Sequence, residues 1–241
     1  MKKIFTLNDP DVKEIRKNHP ALKGRKLIGS GQYSGVFESD NPDTVLKLSI
    51  DEASYLFHND AFLRPESHHF SQAVRDFGRV GTFTTSKNVT RTKLTNPVEL
   101  QVPIYLYEIE KLHKIPQGTP NSLLSRRIAK DWRDGDERSQ VVDYRPRAKD
   151  IVRHLRDNAF YQHDNPTVID ALEELAQFVQ DYDRAFVDLH GANMMQRADG
   201  TFVFSDPIGD DRIYNAHYTF KPVTTVTTAD IRRLKEEYQS A

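Results

Sequence analysis

The order of patterns along the chain predicts an α+β fold, with a β-rich N-terminal part followed by an α-helical part. Short apolar runs separated by turn residues dominate up to about residue 110. Helical periodicity dominates after Pro116, and the clearest case is Thr167–Tyr182, where apolar residues recur three and four positions apart. We therefore expect a boundary between the two parts near residues 110–118.

Residues Lys26–Ser49 predict a compact antiparallel meander of three strands. Two apolar runs flank a Gly-Ser-Gly turn at residues 29–31, and Val45–Leu48 follows a second turn at residues 41–43. The polar and charged residues before the meander are expected to form a short helix or a strap that leads into it.

The segment after the meander predicts two helices and then a strand. Ile50–Phe77 looks helical, and Pro65 is expected to divide it because proline breaks a helix interior. Ser86–Glu99, which is rich in Thr, Lys and Asn, predicts a hairpin or an exposed loop. Val102–Tyr107 is apolar and aromatic, and it predicts a buried strand.

The C-terminal part is expected to be mainly helical. Its predicted helices are Asn121–Asp131, Pro146–Phe160, Thr167–Tyr182 and a last one near Thr228–Tyr238. Between the first two, the charged stretch Trp132–Arg138 predicts a loop. Met194–Gln196 and Thr201–Phe204 predict a small hairpin around a turn at Asp199-Gly200.

Composition excludes several classes of function. Lys and Arg total 34 and Asp and Glu total 35, so the chain lacks the basic excess of a dedicated nucleic-acid binder. It has no cysteine, which excludes disulfides, thiolate metal sites and a cysteine nucleophile. No apolar run approaches the ~20 residues of a membrane span, and no secretion signal is visible. We expect a cytoplasmic protein without a membrane partner.

A glycine-rich turn is the first chemical signal. Residues 29–36 read Gly-Ser-Gly-Gln-Tyr-Ser-Gly-Val, and Gly29 and Gly31 would let backbone N–H groups approach phosphates without a Cβ clash. Taken alone, these residues favour a plain tight hairpin, which also uses Gly-Ser-Gly. The pattern is neither a Walker loop nor a dinucleotide-binding fingerprint, because no Gly-Lys-Ser/Thr follows and the next element is a strand.

Lys47 is the second signal, in the apolar strand one hairpin later. A lysine on an edge strand is usually solvated. If Lys47 instead faces the same cleft as the glycine turn, its ammonium group suits the α- and β-phosphate oxygens of a nucleotide.

The third and strongest signal is Asp188-Leu189-His190-Gly191-Ala192-Asn193, followed by Asp206-Pro207. The hairpin between Asn193 and Asp206 would return the chain, so that Asp188, Asn193 and Asp206 share one site. Carboxylate and amide oxygens suit Mg²⁺, and Asp188 is then left to orient or deprotonate an incoming hydroxyl. The alternative is that these residues cap turns, which does not explain their order together with Lys47 and the glycine turn.

Taken together, these motifs resemble the protein-kinase-like superfamily, whose pattern is a glycine-rich loop, a strand lysine, an Asp with an Asn five residues later, and a metal-binding Asp on the next hairpin. Leu27–Lys47 and Phe186–Pro207 are most similar to the early serine/threonine protein kinases of T7-type bacteriophages. The resemblance is confined to these two segments.

The resemblance implies one kinase-like domain over residues 1–241, with a β-rich N-lobe (about 1–110), a hinge (about 108–116) and a reduced helical C-lobe (about 117–241). It implies that Asp188 is the catalytic base, with Lys47 and Asn193 as further catalytic residues. It assigns Mg²⁺ to Asn193 and Asp206. The ATP-binding residues that it implies are Gly29, Ser30, Gly31 and Lys47, a glutamate partner of Lys47, and the hinge residues Glu108, Ile109 and Glu110. The glutamate is Glu66, slightly favoured by its separation from Lys47, or Glu52.

Some residues depart from the family pattern. Ser34 replaces the third glycine of the loop, and Asp206-Pro207-Ile208 replaces Asp-Phe-Gly. Val187 stands where many protein kinases have the arginine that pairs with a phosphorylated activation loop, so we expect no such phosphorylation requirement.

Three functions remain open. The first is ATP- and Mg²⁺-dependent phosphorylation of Ser or Thr in host proteins by a phage kinase. The second is a small-molecule kinase of the aminoglycoside or choline type, whose Asp-x-His-x-x-Asn loop looks the same locally. The third is a kinase-like module that binds and inhibits a host factor without catalysis, although Lys47, Asp188, Asn193 and Asp206 are all in place.

Overall fold

A computed structural model describes residues 7–60, 65–84, 101–138 and 144–214 of the chain. It is a mixed α+β structure built on a five-stranded antiparallel sheet with the strand order β1-β2-β3-β5-β4. The strands are β1 (Leu27–Ser30), β2 (Ser34–Glu38), β3 (Thr44–Ser49), β4 (Ala73–Thr84) and β5 (Gln101–Glu110). The predicted meander is therefore confirmed, and the expected buried strand is longer than Val102–Tyr107.

The prediction of a second helix before Phe77 is wrong, because β4 occupies that position. Residues 65–72 hold no helix, and only α2 (Glu52–Asn59) precedes them in the described part of this region. The register between β4 and β5 shifts at three places, one of them at Gly78, which has a φ of 70°. Such bulges interrupt the alternation of inward and outward side chains by which a strand is recognised in a sequence.

The helices before and after the sheet are α1 (Pro10–Asn18), α3 (Pro120–Arg138), α4 (Tyr144–Arg156) and α5 (Pro166–Asp181). The loop predicted at Trp132–Arg138 is wrong, because α3 continues through it. Trp132 is buried, and Lys130 and Asp134 form an ion pair one helical turn apart. Such i,i+4 pairs support a helix that has few apolar residues on its outer face.

The interior contains two main hydrophobic clusters. One lies on the sheet, around Phe37, Leu48 and Leu106, and α1 contributes Val12 to it. The other joins α3, α4 and α5, and it includes Phe57 of α2, whose ring contacts Phe178 edge-to-face. Helix α2 lies between β3 and β4 in the chain, but it packs Ala53 and Phe57 into the helical cluster, which places α2 between the two clusters.

Four short strands follow α5 and form two nested pairs: β6 (Ala185–Val187) with β9 (Ile208–Asp210), and β7 (Met194–Gln196) with β8 (Phe202–Phe204). The inner pair confirms the predicted hairpin, and Gly200 adopts a φ of 89° at its turn. Because one pair encloses the other, the segments 188–193 and 205–207 lie side by side.

The loop expected at Ser86–Glu99 and the helix expected near Thr228–Tyr238 lie outside the described residues. Within the described ranges, no helix is long and apolar enough to cross a membrane.

Candidate active site

A cleft of 1110 Å³ lies between the sheet and the nested strand pairs. It brings together the glycine turn, Lys47, Asp188, Asn193 and Asp206, which are separated in the sequence but all line its wall. Glu66 and Glu108 are not among the lining residues. The cleft thus unites most of the predicted site residues.

Lys47 is central in β3, where it pairs with Val36 of β2 and Tyr107 of β5. The side chain is 5% exposed, so Lys47 is not a solvated edge lysine. Its Nζ donates to Asp206 Oδ1 at 2.8 Å and to Ser54 Oγ at 3.2 Å. Burial by itself lowers the pKa of Lys47, but Asp206 outweighs it and the net pKa is raised. Lys47 is therefore a fixed cation in the cleft wall.

Asp206 directly precedes Pro207, at the point where the chain leaves β8. Its Oδ1 accepts from Lys47 and, at 2.8 Å, from Ser54 Oγ. Burial favours a raised pKa, but the adjacent ammonium group dominates and lowers the pKa of Asp206 below its ordinary value. Both hydrogen bonds reach Oδ1, so Oδ2 of this ionised carboxylate is available to a ligand.

Three hydrogen bonds link the segments that carry Asp188, Asn193 and Asp206. The Asp188 N–H donates to Pro207 O at 2.8 Å, and the Asn193 side chain donates from Nδ2 to Asp188 O at 2.8 Å. The Ser205 N–H donates to Asn193 O at 2.9 Å. Because Nδ2 is used for this link, Oδ1 of Asn193 is the amide atom that remains for a cation.

The Asp188 carboxylate is half-exposed to the cleft, and its Oδ2 lies 3.6 Å from His190 Nε2. His190 Nδ1 accepts from the Ala192 N–H, which fixes the ring beside the carboxylate. Reduced hydration raises the pKa of Asp188, His190 opposes the rise, and Asp206 adds to it. A carboxylate with a raised pKa and access to the cleft can accept a proton from a bound hydroxyl.

The glycine turn closes the β1–β2 hairpin at the mouth of the cleft. The Gly31 N–H donates to Ser34 O at 3.0 Å, and a Cβ on Gly31 would lie 3.1 Å from Ser34 Oγ. Ser34, at the position of the missing third glycine, is buried and pairs with Ser49 in β3. Gly29, Ser30 and Gly31 all line the cleft, as predicted.

Neither proposed glutamate partner of Lys47 is correct. Glu66 is exposed in a loop, and its N–H donates to the Glu174 carboxylate of α5. Glu52 lies on α2, but its carboxylate accepts from Arg184 at 2.7 Å and from Tyr105 at 2.7 Å. The helix required to carry Glu66 toward Lys47 is absent because the chain enters β4.

The predicted hinge spans about residues 108–116, but Glu108, Ile109 and Glu110 do not follow the strand as expected, because they are the last residues of β5 and pair with β3. The Glu108 carboxylate accepts from the hydroxyls of Ser39 and Thr44, and Glu110 binds Arg197. Residues 111–114, which follow β5 and line the cleft, connect the sheet to α3 instead. Ile109 and Glu110 still line the cleft.

The sequence did not predict a set of buried polar residues at and within α2. Ser54 contacts both Lys47 and Asp206, and the buried Asp51 caps the helix by accepting from the Ser54 N–H at 2.8 Å. Burial raises the pKa of Asp51 to about 8. His58, one turn after Ser54, is also buried, and burial lowers its pKa to about 4. Asp51 as an N-cap residue directly before the acidic Glu52 is a helix-start signal that predicts where α2 begins.

The residues present suit Mg²⁺ better than a metal held by protein ligands alone. In the described ranges there is no cluster of three or more His, Asp or Glu side chains able to hold a metal. Mg²⁺ typically uses one or two carboxylates together with substrate phosphates and water. Asp206 Oδ2 and Asn193 Oδ1 fit this incomplete set.

Comparison with known proteins adds no family: no model of a protein family matches the chain, and no curated protein matches it either.

Proposed function

We propose that the protein is a serine/threonine protein kinase with the reduced two-lobed architecture, which transfers a phosphoryl group from ATP to host proteins. The observation that carries this proposal is the convergence of Lys47, Asp188, Asn193 and Asp206 on one cleft beneath the glycine turn. This convergence supports phosphoryl transfer because a cation, a carboxylate base and two metal-binding oxygens are the groups that the reaction needs around one nucleotide.

The cleft offers a place for each part of ATP. The apolar side chains on its wall suit adenine, and they come from the sheet and from β7: Ile28, Val36, Val45, Ile109 and Met195. The chain at residues 111–114 takes the role of the hinge. The glycine turn and Lys47 would hold the phosphates, the turn through its N–H groups and Lys47 as a buried cation.

Mg²⁺, when bound by Asn193 and Asp206, would neutralise charge on the phosphates. Asp188 would orient the Ser or Thr hydroxyl and accept its proton as the oxygen attacks the γ-phosphorus. The bond from that phosphorus to the bridging oxygen breaks, and ADP leaves. His190 supports this role because it holds one side of the Asp188 carboxylate.

The test is transfer of label from radioactive ATP, with Mg²⁺, to proteins of a bacterial lysate. The wild-type protein should label Ser and Thr, and Asp188→Asn and Asp206→Asn should reduce labelling by about a thousandfold or more. Asp199→Asn, at the exposed β7–β8 turn, is the matched control and should retain activity.

The same experiment separates the alternatives. Label that appears only on added aminoglycosides or choline would replace the protein-kinase proposal by the small-molecule one. Absence of nucleotide binding, together with absence of both autophosphorylation and transfer, would overturn catalysis altogether. If the protein is instead a non-catalytic inhibitor, the wild-type protein and Asp188→Asn should inhibit the target equally well.

A further inference from the structure

Ser54 lies between the two charged groups of the candidate site. Its hydroxyl donates to Asp206 Oδ1 at 2.8 Å and accepts from Lys47 Nζ at 3.2 Å. The residue is 1% exposed, so water does not compete for these contacts. A single neutral side chain therefore bridges the lysine and the carboxylate, in addition to their direct contact.

Side chains of Asp51 and His58 fix Ser54 through its backbone N–H and its backbone carbonyl. The Ser54 N–H donates to the Asp51 carboxylate at 2.8 Å, and the Ser54 carbonyl accepts from His58 Nδ1 at 2.6 Å. His58 Nε2 in turn lies 2.7 Å from Ser71 Oγ. The hydroxyl is thus held in place by a buried polar network and by the packing of α2 against α5 through Phe57.

The nearby carboxylates are already engaged. Glu52 is neutralised by Arg184 and Arg212, and Asp51 caps α2. Asp206 is therefore the carboxylate that contacts the Lys47 ammonium group, and it is also the proposed metal ligand. Binding of Mg²⁺ and phosphates to this pair would draw the two charges toward different ligand atoms.

We propose that Ser54 is a positioning residue that holds Lys47 and Asp206 at a fixed separation, in the place where a glutamate was expected. This inference rests on the proposed function, in which Lys47 holds phosphates and Asp206 holds Mg²⁺. A hydroxyl suits the role because it donates to the carboxylate and accepts from the ammonium group at once. Unlike a second carboxylate, it does not compete with phosphate for the charge of Lys47.

The test compares Ser54→Ala with Ser71→Ala. Both changes remove one buried hydroxyl from the same polar network, but Ser71 contacts neither Lys47 nor Asp206. Binding of MgADP is measured by calorimetry, and kcat, the KM for ATP and the Mg²⁺ concentration for half-maximal rate are measured alongside. Melting without nucleotide reports the purely structural cost of each change.

Ser54→Ala should weaken MgADP binding and raise the Mg²⁺ requirement by about tenfold, the factor expected for one hydrogen bond to a charged group. Ser71→Ala should change both by less than about threefold at a similar melting temperature. Ser54→Cys keeps about the same size but has a weak donor, so its effects should resemble those of Ser54→Ala. It provides a second test if Ser54→Ala does not fold.

Equal effects of Ser54→Ala and Ser71→Ala on MgADP binding would overturn the positioning role while leaving the kinase proposal intact. If wild-type protein binds no MgADP, the proposed function itself fails. A role limited to stability would lower melting of Ser54→Ala without moving the Mg²⁺ requirement.

Discussion

Lys47 Nζ lies 2.8 Å from Asp206 Oδ1, but the two partners differ in solvent access. The lysine side chain is 5% exposed and the aspartate is 38% exposed. Water can therefore hydrate Asp206 if its partner is removed, whereas it cannot reach Lys47 to the same extent. The pair should respond unequally to the loss of either member.

Asp206→Ala should lower the free energy of unfolding by about 2 kcal/mol, because it leaves a buried ammonium group with Ser54 as its remaining hydrogen-bond partner. Lys47→Met should cost about 1 kcal/mol or less, because the apolar chain fills the site and Asp206 keeps its contact with water. Urea unfolding of both variants measures the difference. Equal costs would show that water enters the site around Lys47.

His58 should make the fold sensitive to acid. Burial lowers the pKa of His58 to about 4 in the folded protein, with Lys47 adding to this effect, against about 6.5 in the unfolded chain. Between these two pH values the unfolded state binds the proton more readily, so the free energy of unfolding falls as the pH drops from about 6.5 to about 4.

His58→Gln removes this titration, so the unfolding free energy should depend less on pH between about 6.5 and about 4. The contribution of His58 to the change in unfolding free energy across this window is at most about 3 kcal/mol. The measurement is urea unfolding of both proteins at a series of pH values. The difference between them at neutral pH gives the cost of the hydrogen bonds that the substitution removes. A parallel shift of the whole curve would mean that His58 has the same pKa in the folded and unfolded states, which would contradict this prediction.

Arg197 should be one of the costliest surface-facing arginines to replace. Its guanidinium makes two hydrogen bonds with the Glu110 carboxylate and donates to the carbonyls of His68 and Phe70. Arg197→Lys cannot reproduce this planar set, and we expect a loss of about 1–3 kcal/mol in unfolding free energy.

Arg156→Lys is the matched control, because Arg156 bridges Asp170 and Glu173 while its side chain remains 48% exposed. Its cost should stay within about 0.5 kcal/mol, as for other exposed ion pairs. Thermal or urea unfolding of the two variants compares them directly, and similar costs would contradict a special role for Arg197.

Gly209 supports the strand that leads into Asp188. It pairs with Phe186 across β6 and β9, and a Cβ at Gly209 would lie 2.5 Å from Phe186 Cζ. Because Phe186 lines the cleft, Gly209→Ala should displace its ring, lower kcat/KM for ATP and cost about 1–3 kcal/mol of stability.

Gly191→Ala provides the comparison, since nothing lies within 4 Å of a Cβ at that position. It should preserve stability to within about 0.5 kcal/mol. If Gly209→Ala has the melting temperature and kcat/KM of the wild-type protein, the Phe186 ring has room to move and does not restrain residues 188–193.

The parts of the site that could be predicted depend on short-range spacing. Asp188, Asn193 and Asp206 lie on two nested strand pairs, so their sequence separation determines their meeting point. Lys47 was predictable for a similar reason, because it lies in the strand that follows a short hairpin.

The remaining parts depend on long-range packing that spacing does not encode. The bulges of β4 concealed a strand, and Glu66 was consequently assigned to a helix that does not form. The end of β5 is set by its pairing with β3 and β4, which extends the strand through Glu110 and moves the connecting segment to residues 111–114. Ser54 was missed because a neutral residue carries no chemical signal until its neighbours are known.

The contact between His113 and Gln196 limits how the cleft can open. Their backbones exchange two hydrogen bonds, of 2.8 and 2.9 Å, and Arg197 binds Glu110 beside them. The connecting segment is thus fastened to β7, so we expect the sheet to rotate about this edge rather than slide across it. Such a rotation would widen the cleft most at the glycine turn, and under the proposed function a bound nucleotide would release its phosphate end before its base.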